Sequence, residues 1–153
     1  MGAVRDALVS VELRGRFQVL PGRPVRVLDV AHNVQAARVL ADNLGAMGYQ
    51  PATWAVLGIM SDKDIDGVIA ALKPRVDHWR VATLPPPRGS SAGELRARLE
   101  AAGVSASAIR EFADPAAACE AAWGEASEAD RIITFGSFLT VAAALASPLA
   151  LSR

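Results

Sequence analysis

The 153-residue chain has one cysteine, two histidines and no net charge, sixteen basic side chains balancing sixteen acidic ones. A single cysteine, Cys119, excludes an internal disulfide and any cysteine-cluster metal site. Its setting, Ala116-Ala-Ala-Cys-Glu-Ala-Ala122, reads as a small apolar residue on a helix. The only other histidine, His78, falls at the amino end of its predicted strand, away from His32, so a metal site is short of ligands. Balanced charge removes any bulk argument for nucleic acid or an anionic membrane, and an anion site must be local. No run approaches the ~20 apolar residues that span a bilayer. Met1-Gly-Ala-Val-Arg-Asp6 lacks the shape of a signal peptide, so a cytoplasmic location is expected.

Three signatures are also missing. Gly-x-Gly-x-x-Gly is absent, which excludes the standard dinucleotide fingerprint. Gly-x-x-x-x-Gly-Lys-Ser/Thr is absent, so the phosphate loop for any bound nucleotide must come from another domain. No Gly-x-Ser-x-Gly elbow occurs, and Ser137 in Gly-Ser-Phe lacks the flanks of a hydrolase nucleophile.

What is present is a globular composition, 52% hydrophobic and 21% charged, at a length that suits one domain. The chain is organised around Arg26-Val-Leu-Asp-Val-Ala-His-Asn33. Val25, Val27, Leu28 and Val30 form the apolar run of a strand buried on both faces. The run stops at Asp29, His32 and Asn33, and helical spacing follows at 34, 37, 40, 41 and 44. Gly45 and Gly48 supply stop signals. Upstream, Val4 and Leu8 suit a helical turn, Val9, Val11 and Leu13 an extended segment, and Gly15–Leu20 a strand turned by Pro21-Gly22. That strand runs antiparallel to the organising one.

Thr53–Leu57, His78–Ala82 and Arg131–Phe135 read as further buried strands, and Ile109–Phe112 as a short edge strand. Between them, Ile65–Leu72 is a helix ended by Pro74, Ser91 and Glu94 open another with a capping-box pattern, and Asp114-Pro115 start a third. Phe138, Val141, Ala142 and Leu145 mark the last helix. Thr83-Leu-Pro-Pro-Pro-Arg-Gly89 is expected to be stiff and extended. The alternation predicts an α/β fold: a mostly parallel sheet with one antiparallel strand, between two helix layers. The loops after its strands bring Asp29, His32, Asn33, Asp62, Lys63, Asp64, Arg88, Gly136 and Ser137 to one edge, where such sheets bind ligands. Trp54, Trp79 and Trp123 read as core or helix-packing residues.

Gly15-Arg-Phe-Gln18, Asp29-Val-Ala-His-Asn33, Gly58-Ile-Met-Ser-Asp-Lys-Asp64, Pro87-Arg-Gly89 and Gly136-Ser-Phe-Leu-Thr140 occur in this order. Together they resemble the C-terminal domain of bacterial dihydrofolate synthase/folylpolyglutamate synthase, in the Mur ligase superfamily. The family usually has Pro where Val34 follows the Asp-x-Ala-His-Asn motif, and Pro where Arg14 precedes Gly-Arg. The resemblance implies a Rossmann-like three-layer sandwich over residues 13–147, a linker at 1–12 and a tail at 148–153. It also implies that the chain is part of a longer ligase.

That ligase would use ATP to phosphorylate a carboxylate of dihydropteroate or a folate, and L-glutamate would then attack the acyl phosphate. The phosphate loop and Mg²⁺ ligands would lie in an N-terminal ATPase domain, this chain's partner, with no nucleic acid, membrane or metal site of its own. By resemblance, Arg16 approaches the ATP phosphates; the alternative is a solvated arginine. Asp29 matches the aspartate on the adenosine side; read alone it is an N-cap. His32, the catalytic candidate, matches the histidine where ATP and glutamate meet; read alone it is a hydrogen-bonded structural group. Asn33 either contacts ATP or caps the helix. Ser137, Lys63 and Arg88 are candidates for glutamate or substrate binding; the alternatives are a helix cap and two surface cations. Two other functions stay open: a cell-wall-precursor ligase of the same superfamily, and a non-catalytic α/β binding module.

Overall fold

A computed structural model describes residues 16–146. The helical turn near Val4, the extended segment at Val9–Leu13, Arg14, the linker and the tail lie outside the described residues. Six strands form one sheet: β1 Gln18–Leu20, β2 Val25–Asp29, β3 Thr53–Leu57, β4 His78–Ala82, β5 Ile109–Phe112 and β6 Arg131–Phe135. Five α-helices flank it: α1 Val34–Ala46, α2 Ile65–Leu72, α3 Ala92–Ala101, α4 Pro115–Glu125 and α5 Phe138–Ala146. The strand order is β1-β2-β6-β3-β4-β5. Only β1 runs antiparallel, pairing Val19 with Val27; the other neighbours are parallel.

The central strands read as unbroken apolar runs because alternate residues enter two different cores. Val27, Ala55, Leu57, Trp79, Val81, Ile133 and Phe135 pack with α1, α2 and α3. Leu28, Trp54, Val56, Ala82 and Ile132 face the other way, toward α4 and α5. The result is the expected three-layer sandwich. Helix α1 carries the chain from β2 past β6 to β3 on one face, and α5 leaves β6 on the opposite face. The exits of β2 and β6 therefore part company at the carboxyl edge, the edge at which sheets of this kind bind ligands.

Two local expectations are corrected. Helix α1 runs through Gly45 and ends at Ala46, with Met47 as C-cap and Gly48 taking φ +92° in the turn beyond. At Gly45 a Cβ would lie 2.5 Å from the Arg75 guanidinium, the exposed end of a side chain that can swing aside. The proline-rich loop is not extended. It folds back, with the Gly89 N–H donating to the Pro85 carbonyl at 2.9 Å and Leu84 N–H to Ser90 at 3.1 Å. Gly89 then packs so closely on the Leu84 backbone that no side chain would fit between them. Of the capping box at α3, Ser91 Oγ accepts the Glu94 N–H at 3.1 Å while the Glu94 carboxylate turns to Arg98.

Candidate functional site

At the carboxyl edge, a cleft of about 430 Å³ lies between the start of β1, the exit of β2 and the first turns of α1. Arg16, Phe17, Asp29, His32 and Asn33 all line it. Asp29 ends β2, opposite Phe135 of β6 in register, with its side chain buried. Oδ1 accepts the Ala31 N–H at 2.9 Å and Oδ2 the Phe17 N–H at 3.2 Å. One carboxylate thus ties the start of β1 to the exit of β2. Burial pushes its pKa above the ordinary aspartate value, against the two backbone N–H bonds and the Arg16 charge, which pull it down.

The helix cap falls to Asn33, not Asp29. Asn33 Oδ1 accepts the Ala36 N–H at 2.8 Å, in the N-cap to N3 geometry. This cap starts α1 at Val34 without the proline that the family usually has there. His32 is exposed, and its Nδ1 lies 2.9 Å from the Val30 carbonyl. A carbonyl only accepts, so Nδ1 carries the proton and Nε2 is the ring atom open to a ligand. The second wall comes from α1: Gln35, Ala36, Val39 and Asn43. Sequence reasoning passed these over, although 35, 39 and 43 share the helix face opposite the buried Ala37, Leu40, Ala41 and Leu44.

The remaining candidates share the sheet edge but not the cleft lining. Ser137 is buried; its Oγ accepts the Leu139 N–H at 3.1 Å and its carbonyl accepts from Thr140 and Val141, so it starts α5. Lys63 lies in the loop after β3 and Arg88 in the loop after β4. These two loops are tied together: Ser61 donates through its N–H at 2.7 Å and its Oγ at 2.9 Å to the Arg88 carbonyl. The Arg88 guanidinium stands 3.6 Å from Asp62, with both side chains exposed. Asp64, beside them, caps α2 through the Gly67 N–H at 3.0 Å.

Among the described residues no three His, Cys, Asp or Glu side chains converge to hold a metal. The tryptophans serve packing. Trp54 and Trp79 are buried, and Trp123 packs beside Ala118 and Ala122 with Arg26 over its ring at 4.8 Å.

A family model described as Mur ligase, glutamate ligase domain, matches residues 15–138. The dihydrofolate synthase/folylpolyglutamate synthase of Escherichia coli (strain K12) is 41% identical over 140 residues, covering 92% of this chain and 32% of that protein. A solved bifunctional folylpolyglutamate synthase/dihydrofolate synthase with Mn, AMPPNP and L-glutamate bound matches at TM-score 0.78 and 43% identity, over 86% of this chain and 30% of that one. E. coli FolC in complex with DHPP and ADP matches at TM-score 0.78 and 38% identity, over 92% and 32%. The chain thus spans about a third of the length of these relatives. Because the matched segment runs from before Arg16 through Ser137, taking in all six strands and each site loop, the chain belongs to the Mur ligase glutamate ligase domain family.

Proposed function

We propose that this chain is the C-terminal lobe of an ATP-dependent ligase that adds L-glutamate to dihydropteroate, to folates or to both. The observation that carries the reading is the convergence of Arg16, Asp29 and His32 on one cleft at the carboxyl edge, in a chain of this family. In this reading ATP phosphorylates a substrate carboxylate, and the glutamate amine displaces phosphate from the acyl phosphate to form an amide. The phosphate loop and Mg²⁺ site are assigned to an N-terminal ATPase domain, as the resemblance implies; no Gly-x-x-x-x-Gly-Lys-Ser/Thr occurs in this sequence. Relatives about three times as long as this chain were solved with ATP analogues, Mn, glutamate or DHPP, which supports the same ligands for the complete protein.

The chain's own residues have distinct tasks. Arg16 places a permanent positive charge against the phosphates. Asp29 fixes the floor of the adenosine side, and Asn33 holds the start of α1 beside it. His32 presents Nε2 as a donor to phosphate when the ring is protonated, or as an acceptor from the glutamate ammonium when it is neutral. Ser137, Lys63 and Arg88 line the neighbouring part of the edge and are assigned to glutamate or substrate. Closing this lobe on its partner would orient the amine and keep water from the acyl phosphate. No described helix is long and apolar enough to cross a membrane. The placement in the cytoplasm rests on the likeness to dihydrofolate synthase/folylpolyglutamate synthase.

The test is phosphate release by the full-length enzyme, dependent on both ATP and L-glutamate, with dihydropteroate compared against a nucleotide-linked muramyl substrate. His32→Ala is expected to lower kcat about 100-fold. Normal turnover in that variant would remove the assignment.

A further inference from the structure

Where β3 and β6 leave the sheet, their backbones meet with no side chain between them. Gly136 takes φ +110°, and a Cβ on it would stand 2.5 Å from the Gly58 carbonyl oxygen and 2.8 Å from Leu57 Cδ1. A Cβ on Gly58 would lie 2.7 Å from Thr140 Oγ1. The Gly58 N–H reaches the Phe135 carbonyl at 3.4 Å. Thr140 closes the junction. It is fully buried, and its hydroxyl donates to the Gly58 carbonyl at 2.9 Å, across 82 residues of sequence.

A threonine hydroxyl on a helix commonly turns back to a carbonyl of its own helix. This one leaves the helix for another loop, while its backbone N–H donates to the Ser137 carbonyl at 3.1 Å. One residue therefore holds both Ser137 and Gly58. Gly58 opens the loop that carries Lys63, and that loop is pinned at Ser61 to Arg88. A shift at Gly58 is thus passed to Lys63 and Arg88 together.

We propose that Thr140 is a positioning residue for the glutamate subsite: its hydroxyl sets the spacing between Ser137 and the linked loops of Lys63 and Arg88. The proposal rests on the ligase reading above and assigns Thr140 no contact with substrate.

The test uses the full-length enzyme. Thr140→Val keeps the shape and deletes the hydroxyl; Thr140→Ser keeps the hydroxyl. Thr140→Val is expected to raise the KM for L-glutamate about tenfold while the KM for ATP stays within about twofold, and Thr140→Ser to restore most of the glutamate KM. An unchanged glutamate KM, or equal rises in both constants, would overturn the proposal. If Thr140→Val does not fold, Thr140→Cys, with a weak donor of similar volume, takes its place: a selective rise in the glutamate KM supports the spacer role, and its absence overturns it. A wild-type enzyme that releases no phosphate with ATP, L-glutamate and either dihydropteroate or a folate would sink the ligase reading itself, and this proposal with it.

Discussion

The Asp29 carboxylate accepts the backbone N–H of Phe17 at 3.2 Å, and Phe17 is the one non-glycine residue among those described with a positive φ, 49°. The left-handed region is unfavourable for a bulky residue, so something must hold the chain there. Asp29 does so, and the held turn sets the position of Arg16 next to it. The two charged groups of the cleft are therefore expected to act as a unit. Asp29→Ala and Arg16→Ala should each lower kcat/KM of the full-length enzyme by about 10- to 100-fold, and the double variant should fall well short of the product of the two. Fully multiplicative losses would show that the two residues work separately.

Asp29 also makes a pH prediction. Its folded pKa lies above the ordinary aspartate value because the carboxylate is buried. Between the two values the folded chain holds a proton that the unfolded chain has released, so stability falls as pH rises through that window. Below the ordinary value the penalty is absent; above the folded value it is complete. Urea unfolding of the wild type and Asp29→Asn, from about pH 3.5 to 7, should show the wild type losing ground to the variant as pH rises. A constant difference would mean that Asp29 has no raised pKa in the folded state.

These relationships explain which features were legible in the sequence. The bounds of β3, β4 and β6 were readable because each is a short, mostly apolar run buried on both faces that opens on a polar residue, Thr53, His78 or Arg131. The edge that carries the candidates followed from the alternation of strands and helices. The cap was harder. Asp29 and Asn33 both precede α1 and both suit a cap, and only the backbone path shows that Asn33 stands three residues from the N–H it accepts. Gly45 read as a stop because glycine commonly ends helices, yet α1 runs one residue past it to Ala46, and the stop with positive φ is Gly48. Likewise, nothing local announces that Phe17 is left-handed or that Thr140 reaches Gly58. The first depends on the β1–β2 pairing that brings Phe17 back to Asp29, and the second on β6 lying beside β3, a placement that no periodicity encodes.

On the far face, Arg80 is buried, and its Nε and Nη2 bind the Glu125 carboxylate at 2.7 and 3.3 Å. Its guanidinium also lies over the Trp54 ring at 4.9 Å. Burial pushes the Glu125 carboxyl up, but hydrogen bonds and charge from Arg80 and Arg110 outweigh it and hold the pKa below the ordinary glutamate value. Glu125→Gln should destabilise the domain by about 2–3 kcal/mol, under the range for a fully buried pair because the Glu125 side chain keeps 30% exposure. Arg110→Ala, at a guanidinium 54% exposed, should cost under ~1 kcal/mol. The Glu125 contribution is present above the ordinary glutamate value and is lost as pH falls through its lowered folded value. Equal effects from the two variants in urea unfolding would refute this ranking.

Cys119 packs between the apolar cluster under α4 and the one under α5, touching both. Burial pushes its thiol up to about 12, against a hydrogen bond with the Thr134 side chain and the Arg26 charge, which pull it down. Since the thiolate is the nucleophile, at pH 8 only about one folded molecule in ten thousand would carry a reactive sulfur, against roughly a quarter of ordinary cysteines. Labelling by a thiol reagent at pH 8 should therefore run about a thousandfold slower than for a free cysteine, and become prompt once urea unfolds the chain. The labelling rate below the unfolding transition then reports opening of the α4–α5 layer rather than thiol chemistry. Substitutions on that face, such as Glu125→Gln, should accelerate it, whereas Asp29→Asn at the cleft should leave it nearly unchanged if the two faces open independently. Rapid labelling of the native chain, insensitive to urea, would show that the sulfur is open to solvent and that the clusters do not close over it.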